Sequence, residues 1–263
     1  MKFPKKSLGQ NFLKDLNIIK KIIHLTEIID KNILEIGPGK GALTDEILKN
    51  NPKSLILIEK DNALSEELKF KYAGNKKVKI FTKDILKFDF EEIIHKNTII
   101  FGNLPYNISS QILVKMIKFR AWPAKYNDLI FMFQKEVAEK IIGKYKTSKY
   151  GRLSVLCNYR LKIINKFKVS SNCFFPKPKV ESMVLHLKPK NNNSLMKIKH
   201  IENLEKITSI FFSGKRKMIN KSIKKIFEND EKIKLIKNLN LQSRPSDLKP
   251  EKYYEITALF EEI

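Results

Sequence analysis

The feature that most constrains this chain is a series of short apolar runs that alternate with amphipathic stretches between residues 31 and 133. Most runs lack the alternating polar residues of a strand with one solvent-facing side, which indicates parallel strands buried on both faces. The runs are ILEI (33–36), LILI (55–58), VKIF (78–81), TIIF (98–101) and LIFMF (129–133). Amphipathic stretches at 42–49 and 62–72 predict connecting helices. The repeat is therefore βαβ, and the predicted fold class is α/β with a doubly wound sheet.

The rest of the chain has a different pattern. Two further strands are expected at 163–169 and 180–187. The stretch 188–194 holds a proline and a run of small polar residues, which is typical of a linker. Beyond it, apolar residues recur at helical spacing and no strand pattern occurs. The predicted domains are 1–190, which contains the sheet, and 191–263, which is small and helical.

Composition excludes several classes of protein. With 263 residues and 42% hydrophobic side chains, the chain can build a full core, so disorder is excluded as its main state. Cys157 and Cys173 form no CxxC pattern, and there are only four histidines, so no disulfide scaffold or metal site is expected. The apolar runs fall short of the roughly 18 residues that a membrane span needs, and the amino terminus lacks the apolar stretch of a signal peptide. We expect a cytoplasmic protein without a membrane partner, and nothing in the sequence indicates more than a monomer.

The charge of the chain is strongly basic. It has 52 Lys and Arg against 28 Asp and Glu, a formal net charge of +24. Because 47 of the basic residues are lysine in a chain also rich in Ile and Asn, an AT-rich coding sequence would account for part of this charge without any function. Its distribution indicates another source: residues 141–190 hold twelve basic residues and one acid, and residues 211–227 hold six and none. A solvated face rarely omits acids so completely, so these segments predict a surface that binds a polyanion.

Glycines and acids follow the first three predicted strands. Gly37, Gly39 and Gly41 lie where a strand turns into a helix, and their missing side chains let a ligand approach the backbone. Glu59 ends the second strand, 22 residues after Gly37, where an acid can accept hydrogen bonds from two ribose hydroxyls. Asp84 follows the third strand. Such glycines also serve tight packing and a single acid can cap a helix, but acids at two consecutive strand ends indicate a nucleoside-bearing cofactor.

The fourth predicted strand leads into Asn103, Leu104, Pro105 and Tyr106. An adenine amino group is a poor nucleophile because its lone pair is delocalised into the ring. The Asn103 side-chain oxygen and the Leu104 carbonyl can accept hydrogen bonds from both amino protons and so free the lone pair, while Tyr106 can stack on the base. No strong base is needed, because the ammonium formed on methylation loses its proton to water. The other interpretation is an ordinary strand-to-helix turn with a core tyrosine.

Six segments of the chain form a recognisable series: QNFL (10–13), IGPGKGALT (36–44), NLPYNIS (103–109), QKEVA (134–138), YGRLSV (150–155) and FFPKPKVES (174–182). In order and spacing they resemble the rRNA adenine dimethyltransferases. The resemblance covers nearly the whole chain. QKEVA, YGRLSV and the tail segments RKMI (216–219) and RPSDL (244–248) are most similar to the branch that acts on small-subunit (16S) rRNA. The macrolide-resistance methylases of 23S rRNA share the glycine loop and the Asn-x-Pro-Tyr turn but not these segments.

The resemblance implies a Rossmann-like methyltransferase sheet with S-adenosylmethionine as cofactor. It also implies dimethylation of two adjacent adenines near the 3′ end of 16S rRNA, in the small ribosomal subunit or its precursor, with a role in ribosome biogenesis. The expected cofactor-binding residues are Asn11, Leu13, Gly37, Gly39, Glu59, Asp84 and Asn103. The expected catalytic residues are Asn103, Leu104, Pro105, Tyr106 and Phe174.

Two sets of residues complete the expected site. Phe174 is expected to stack on the second face of the base, although it could instead be a core aromatic, and Phe175 could exchange roles with it. The 191–263 domain is expected to bind RNA, as is the basic run 141–190. The single residues expected to contact phosphates are Lys5, Lys6, Lys215, Arg216, Lys217, Lys221, Lys224 and Lys225. The histidines are assigned no role.

Three other functions remain open from sequence. A nicotinamide-dependent dehydrogenase would use the same glycine loop and acid, but it would not need Asn-Leu-Pro-Tyr after the fourth strand. A DNA adenine methyltransferase would use a similar turn, and preference for structured rRNA over duplex DNA separates the two. The protein could also matter mainly as an assembly factor that holds an immature small subunit.

Overall fold

The structure is a computed structural model, and it describes residues 9–191 and 198–262. In it, the predicted apolar runs form neighbouring strands of one seven-stranded sheet. The strands are β1 (Phe12–Leu13), β2 (Asn32–Ile36), β3 (Ser54–Glu59), β4 (Val78–Thr82), β5 (Thr98–Asn103), β6 (Tyr126–Gln134), β7 (Leu161–Val169), β8 (Phe174–Phe175) and β9 (Ser182–Pro189). The order across the large sheet is β4-β3-β2-β5-β6-β9-β7, and β1 and β8 form a separate antiparallel pair. The sheet is therefore mixed: the parallel strands β4, β3, β2, β5 and β6 form one side of it, and β9 and β7 extend the other side.

Strands β2 to β6 run parallel to one another, and β9 is antiparallel to β6. Strands β2 and β5 are buried along nearly their whole length, as the unbroken apolar runs predicted. Strand β9 runs two residues further than predicted, so Lys188 and Pro189 belong to a strand and not to a linker. The Lys188 ammonium lies 3.3 Å from Asp128 on the neighbouring β6, which favours the longer strand.

Helices alternate with these strands along the chain. They are α1 (Leu16–Ile23), α2 (Ala42–Lys49), α3 (Asn62–Lys71), α4 (Ser109–Ile117) and α5 (Lys135–Ile141). Aspartates cap two of them: Asp15 accepts hydrogen bonds from the first turn of α1, and Asp61 accepts one from Ala63 of α3. Buried apolar residues of α1 and α2 pack against the sheet in one core cluster, which fixes the strand ends relative to the helices.

The chain divides into two compact units. The sheet unit consists of Met1–Ala138 and Ile163–Pro189, and the helical unit of Glu139–Lys162 and Lys190–Ile263. The helical unit contains α6 (Arg152–Arg160), α7 (Ile201–Ser213), α8 (Asn220–Lys224), α9 (Asp230–Lys234) and α10 (Pro250–Phe260), and its described residues include no strand beyond the first two residues of β7. In the described part of the chain, no helix is long and apolar enough to cross a membrane.

The division of the chain differs from the predicted boundary at residue 190. Residues 139–162 belong to the helical unit because α6 packs against α7 and α10. The rings of Tyr159 on α6 and Tyr254 on α10 lie 4.9 Å apart, and the Tyr254 hydroxyl donates to the Val155 carbonyl. The helical unit is therefore discontinuous in sequence, and a division at one point along the chain could not describe it.

Candidate active site

A cavity of about 340 Å³ lies in the sheet unit, where β2, β3, β4 and β5 end. The lining includes every residue expected to bind the cofactor and four of the five expected catalytic residues: Asn11, Leu13, Gly37, Gly39, Glu59, Asp84, Asn103, Leu104, Pro105 and Tyr106. Parallel strands bring their carboxyl ends to one edge, and so residues far apart in sequence meet there.

The glycine loop after β2 can follow its path only without side chains at two positions. Gly39 has φ +59°, and a Cβ there would lie 3.0 Å from the Phe12 ring. Gly41 has φ +82°, and a Cβ there would lie 2.4 Å from the Tyr72 hydroxyl. That hydroxyl donates to Asp45 at 2.8 Å, which joins the first turn of α2, directly after the loop, to the end of α3. The backbone of this loop therefore lies open to the cavity in one fixed conformation.

Glu59 is the acid beside the glycine loop. Its carboxylate accepts hydrogen bonds from the backbone N–H groups of Gly39 at 3.1 Å and Asp61 at 2.8 Å, one on each oxygen. Burial raises the pKa of Glu59, and these backbone donors oppose that shift. A carboxylate oxygen can accept a second hydrogen bond. Glu59 is therefore oriented by the protein and can still accept from two hydroxyls of a ligand.

Asp84 is the acid at the adjacent strand end. Lys60 lies 2.8 Å from one carboxylate oxygen, and the Leu86 backbone N–H donates to the other at 3.0 Å. The hydrogen bond from Lys60 is the main reason that the pKa of Asp84 is lowered. Asp84 therefore stays ionised and can accept a hydrogen bond from an amino group.

Asn103, at the end of β5, has an amide that the protein orients. Its Nδ2 donates to the main-chain carbonyl of Asn11 at 3.0 Å. Because the nitrogen is engaged there, the opposite end of the amide presents Oδ1 as an acceptor. Leu104, next in the chain, is 1% exposed, and its side chain lies in the core. This burial fixes the turn that carries the Leu104 carbonyl.

Tyr106 completes the turn with its ring at the cavity. Its hydroxyl lies 2.7 Å from the Ser182 hydroxyl at the start of β9. Burial raises the pKa of Tyr106, so its phenol is neutral at physiological pH. Tyr106 therefore offers a neutral aromatic ring whose hydroxyl is held by Ser182, and such a ring suits stacking rather than proton transfer.

The structure corrects the expectation for Phe174. Phe174 is 2% exposed and belongs to the core cluster, whereas Phe175 is 57% exposed and lines the cavity. The reason is strand alternation in β8: Phe174 pairs with buried Leu13 and Phe175 with Phe12, so the two rings take opposite sides. Of these two phenylalanines, Phe175, the alternative in the sequence analysis, is therefore the one that lines the cavity.

Two residues near the cavity have no role in the sequence analysis. Glu35 is 1% exposed, lines the cavity and accepts from Thr44 at 2.6 Å, and burial raises its pKa to about 8. Glu35 is therefore mostly protonated at pH 7. In the sequence, the only indication of a special role for Glu35 was an acid inside an apolar run. Lys115 of α4 donates to the carbonyls of Leu86 and Phe88 at 3.1 and 2.9 Å, which fastens the loop that follows Asp84.

The basic residues expected at RNA have different environments. Lys5 and Lys6 lie outside the described residues. Lys215 binds the protein's own backbone: its ammonium donates to the carbonyls of Ser148 and Tyr150, both at 2.6 Å. Burial lowers the pKa of Lys215. The remaining predicted positions are exposed: Arg216, Lys217, Lys221, Lys224 and Lys225. Lys224 also lies 3.9 Å from Asp230, so part of its charge is balanced within the helical unit.

Comparison with known proteins places this arrangement in a family. The sequence matches the family described as ribosomal RNA adenine dimethylase over residues 2–262. The chain belongs to that family.

Individual relatives support this family membership. Ribosomal RNA small subunit methyltransferase A of Pelagibacter ubique (strain HTCC1062) is 42% identical over 259 residues, which cover 98% of this chain and 97% of the relative. The protein of the same description from Malacoplasma penetrans (strain HF-2) is 40% identical, with 97% and 91% covered. The crystal structure of a dimethyladenosine transferase from Plasmodium falciparum superimposes with a TM-score of 0.77 at 26% identity, covering 95% of this chain and 98% of that one.

These matches confirm three predictions made from sequence. The dimethylase has the predicted family resemblance, the predicted enzyme class and the predicted α/β methyltransferase sheet with a helical C-terminal region. A dimethylase needs a methyl donor and an rRNA substrate. The roles of individual residues remain predictions.

Proposed function

We propose that this dimethylase transfers methyl groups from S-adenosylmethionine to the exocyclic amino groups of two adjacent adenines near the 3′ end of 16S rRNA. The observation that carries the proposal is the Asn103 amide, whose nitrogen is held by Asn11 and whose oxygen is left to accept a target amine. The choice of 16S rRNA rests on relatives described as small-subunit rRNA methyltransferases and on the segments shared with that branch.

The residues around the cavity fit S-adenosylmethionine. Glu59 would accept from the ribose hydroxyls, and ionised Asp84 would accept from the adenine amino group of the cofactor. Gly37 and Gly39 leave the backbone open to the ligand, and Asn11 and Leu13 line the cavity beside them. When bound, the cofactor supplies an electrophilic methyl group on a sulfonium.

The chain's own residues would prepare the target amine. Asn103 Oδ1 and the Leu104 carbonyl would accept hydrogen bonds from its two N–H groups, which draws the nitrogen toward tetrahedral geometry and frees its lone pair. Pro105 restricts the turn that carries them. Tyr106 and Phe175 would hold the flipped base from its two faces. Loss of the proton from the methylated amine needs no residue of the protein, because that proton is acidic enough to pass to water.

The exposed basic residues of the helical unit are the proposed rRNA contacts. Arg216, Lys217, Lys221 and Lys225 project from a segment without acids. Phosphate contacts of this kind set position and affinity, whereas the site around Asn103 selects the base. We propose that the protein acts as a monomer in the cytoplasm on the small subunit or its precursor, and contributes in this way to ribosome biogenesis.

Methylation of defined substrates tests the function. The protein is incubated with labelled S-adenosylmethionine and small subunits whose 16S rRNA lacks dimethyladenosine, and the rRNA is analysed by mass spectrometry. We expect two neighbouring adenines near the 3′ end to gain two methyl groups each. Large subunits and duplex DNA are the comparison substrates. Transfer to either of these in preference to small subunits would contradict the proposal.

Salt dependence tests the proposed rRNA surface. Changing Arg216, Lys217 and Lys221 to Gln removes up to three cations that would bind phosphates. The slope of log affinity against log salt for small subunits should flatten by roughly 0.7 to 0.9 for each phosphate that is no longer neutralised. S-adenosylmethionine affinity should not change, because all three residues lie in the helical unit and the cavity lies in the sheet unit. Lys215 is left intact because its ammonium binds main-chain carbonyls.

The matched control for this experiment removes the same charge elsewhere. Lys31, Lys53 and Lys96 are exposed and precede β2, β3 and β5, at the sheet edge opposite the cavity. Changing all three to Gln should leave the salt slope near that of the wild type. If both triple variants showed an equal fall in affinity, the net charge alone would explain binding, and the base composition of the coding sequence would be the better account of the lysines.

A further inference from the structure

Ser182 belongs to the FFPKPKVES segment, and the proposed function assigns it no role. It is the first residue of β9, is fully buried at 0% exposure, and has its hydroxyl 2.7 Å from the hydroxyl of Tyr106. Its backbone pairs with Gln134 of β6 inside the large sheet. The adjacent residue, Glu181, accepts from the Lys135 backbone N–H at 2.9 Å and forms an ion pair with the Lys135 ammonium at 2.7 Å. Ser182 is therefore a rigid anchor point.

Tyr106, in contrast, lies on the turn between β5 and α4. Its ring is attached to the backbone at one end and to Ser182 at the other. Holding the phenol oxygen prevents the ring from swinging about its first side-chain torsion. Because a phenolic O–H lies in the ring plane, the bond also favours one plane of the ring. Both hydroxyls are neutral, and the burial of Ser182 removes water as a competing partner.

We propose that Ser182 is a positioning residue for the target adenine, which it serves by holding the Tyr106 ring in the plane that stacks on the base. The inference rests on the proposed function, because the ring plane matters only if Tyr106 contacts the base. The same segment of chain carries Phe175 at the cavity. One stretch, Phe175 to Ser182, would thus supply one stacking ring and orient the other.

A double-mutant cycle tests the role. Ser182→Ala and Tyr106→Phe break the same hydrogen bond from its two ends, with small changes in volume. Each should lower kcat for methylation of small subunits about 3- to 10-fold, the range expected for removal of one neutral hydrogen bond. The double variant should be no slower than the slower single variant, because the bond can be broken only once. The KM for S-adenosylmethionine should stay at the wild-type value.

A matched control separates positioning from general destabilisation. Thr98 is 2% exposed and its hydroxyl donates to the His95 carbonyl at 2.7 Å, at the opposite end of β5 from Asn103. Thr98→Val also removes one buried hydroxyl bond, and it should lower the melting temperature about as much as Ser182→Ala while leaving kcat unchanged. A kcat that tracks melting temperature across these variants would overturn the proposal.

The remaining outcomes are equally decisive. A double variant whose kcat falls by the product of the two single effects would show that the residues act independently, and this would overturn the proposal. If Ser182→Ala does not fold, Tyr106→Phe still breaks the bond, and wild-type kcat in that variant would overturn it too. An inactive wild type in this assay would refute the proposed function, whereas an active wild type with an unaffected Ser182→Ala would refute only the role of Ser182.

Discussion

Replacing Asn103 with alanine is expected to lower the methylation rate about 100- to 1,000-fold, as removal of a preorganised polar group at a reacting centre commonly does. The Asn103 amide is oriented before any substrate arrives, because its nitrogen donates to the Asn11 carbonyl at 3.0 Å. Its oxygen would accept from the target amine most strongly as that nitrogen becomes tetrahedral. The effect should therefore appear in kcat, measured by transfer of labelled methyl groups to small subunits lacking dimethyladenosine.

S-adenosylmethionine affinity must be measured beside this rate, because Asn103 also lines the cavity. Asn127→Ala is a suitable control, since Asn127 is exposed on the neighbouring strand β6, outside the cavity lining. It should keep wild-type turnover. Near-wild-type turnover in Asn103→Ala at saturating cofactor would rule out the proposed role in orienting the amine.

Glu59→Ala is expected to weaken S-adenosylmethionine binding by about 100-fold or more, since the variant cannot accept the two hydrogen bonds that ribose hydroxyls would donate to the charged carboxylate. The structure gives a second reason to expect weaker cofactor binding. Glu59 also accepts from the Gly39 backbone N–H, so the variant lacks a hydrogen bond that holds the glycine loop. Calorimetry measures the cofactor affinity directly.

The same variant separates an enzyme from an assembly factor. Glu59→Ala leaves the exposed basic residues of the helical unit unchanged, so binding to undermethylated small subunits should persist in a pelleting assay. Circular dichroism and the melting temperature check that the variant is folded. If subunit binding fell as steeply as cofactor binding in a folded variant, the cofactor and rRNA sites would not be separable.

The sequence was sufficient for the sheet and for most of the cavity. Strands buried on both faces leave unbroken apolar runs, and a parallel sheet brings the residues that follow those runs to one edge. Glu59, Asp84 and Asn103 could therefore be placed together from the sequence, and all three line the cavity. Strand pattern and motif order depend on short segments of chain, which the sequence displays directly.

Only the tertiary structure decided which side chains reach the site and which serve the fold. Phe174 and Phe175 are adjacent and chemically identical, and the pairing of β8 with β1 sends one into the core and the other to the cavity. Lys215 resembles the other lysines of its basic segment, yet carbonyls more than 60 residues away bind its ammonium. Residues 139–162 join the helical unit through contacts with helices far along the chain. In each case the deciding partner is remote in sequence, and local periodicity carries no information about it.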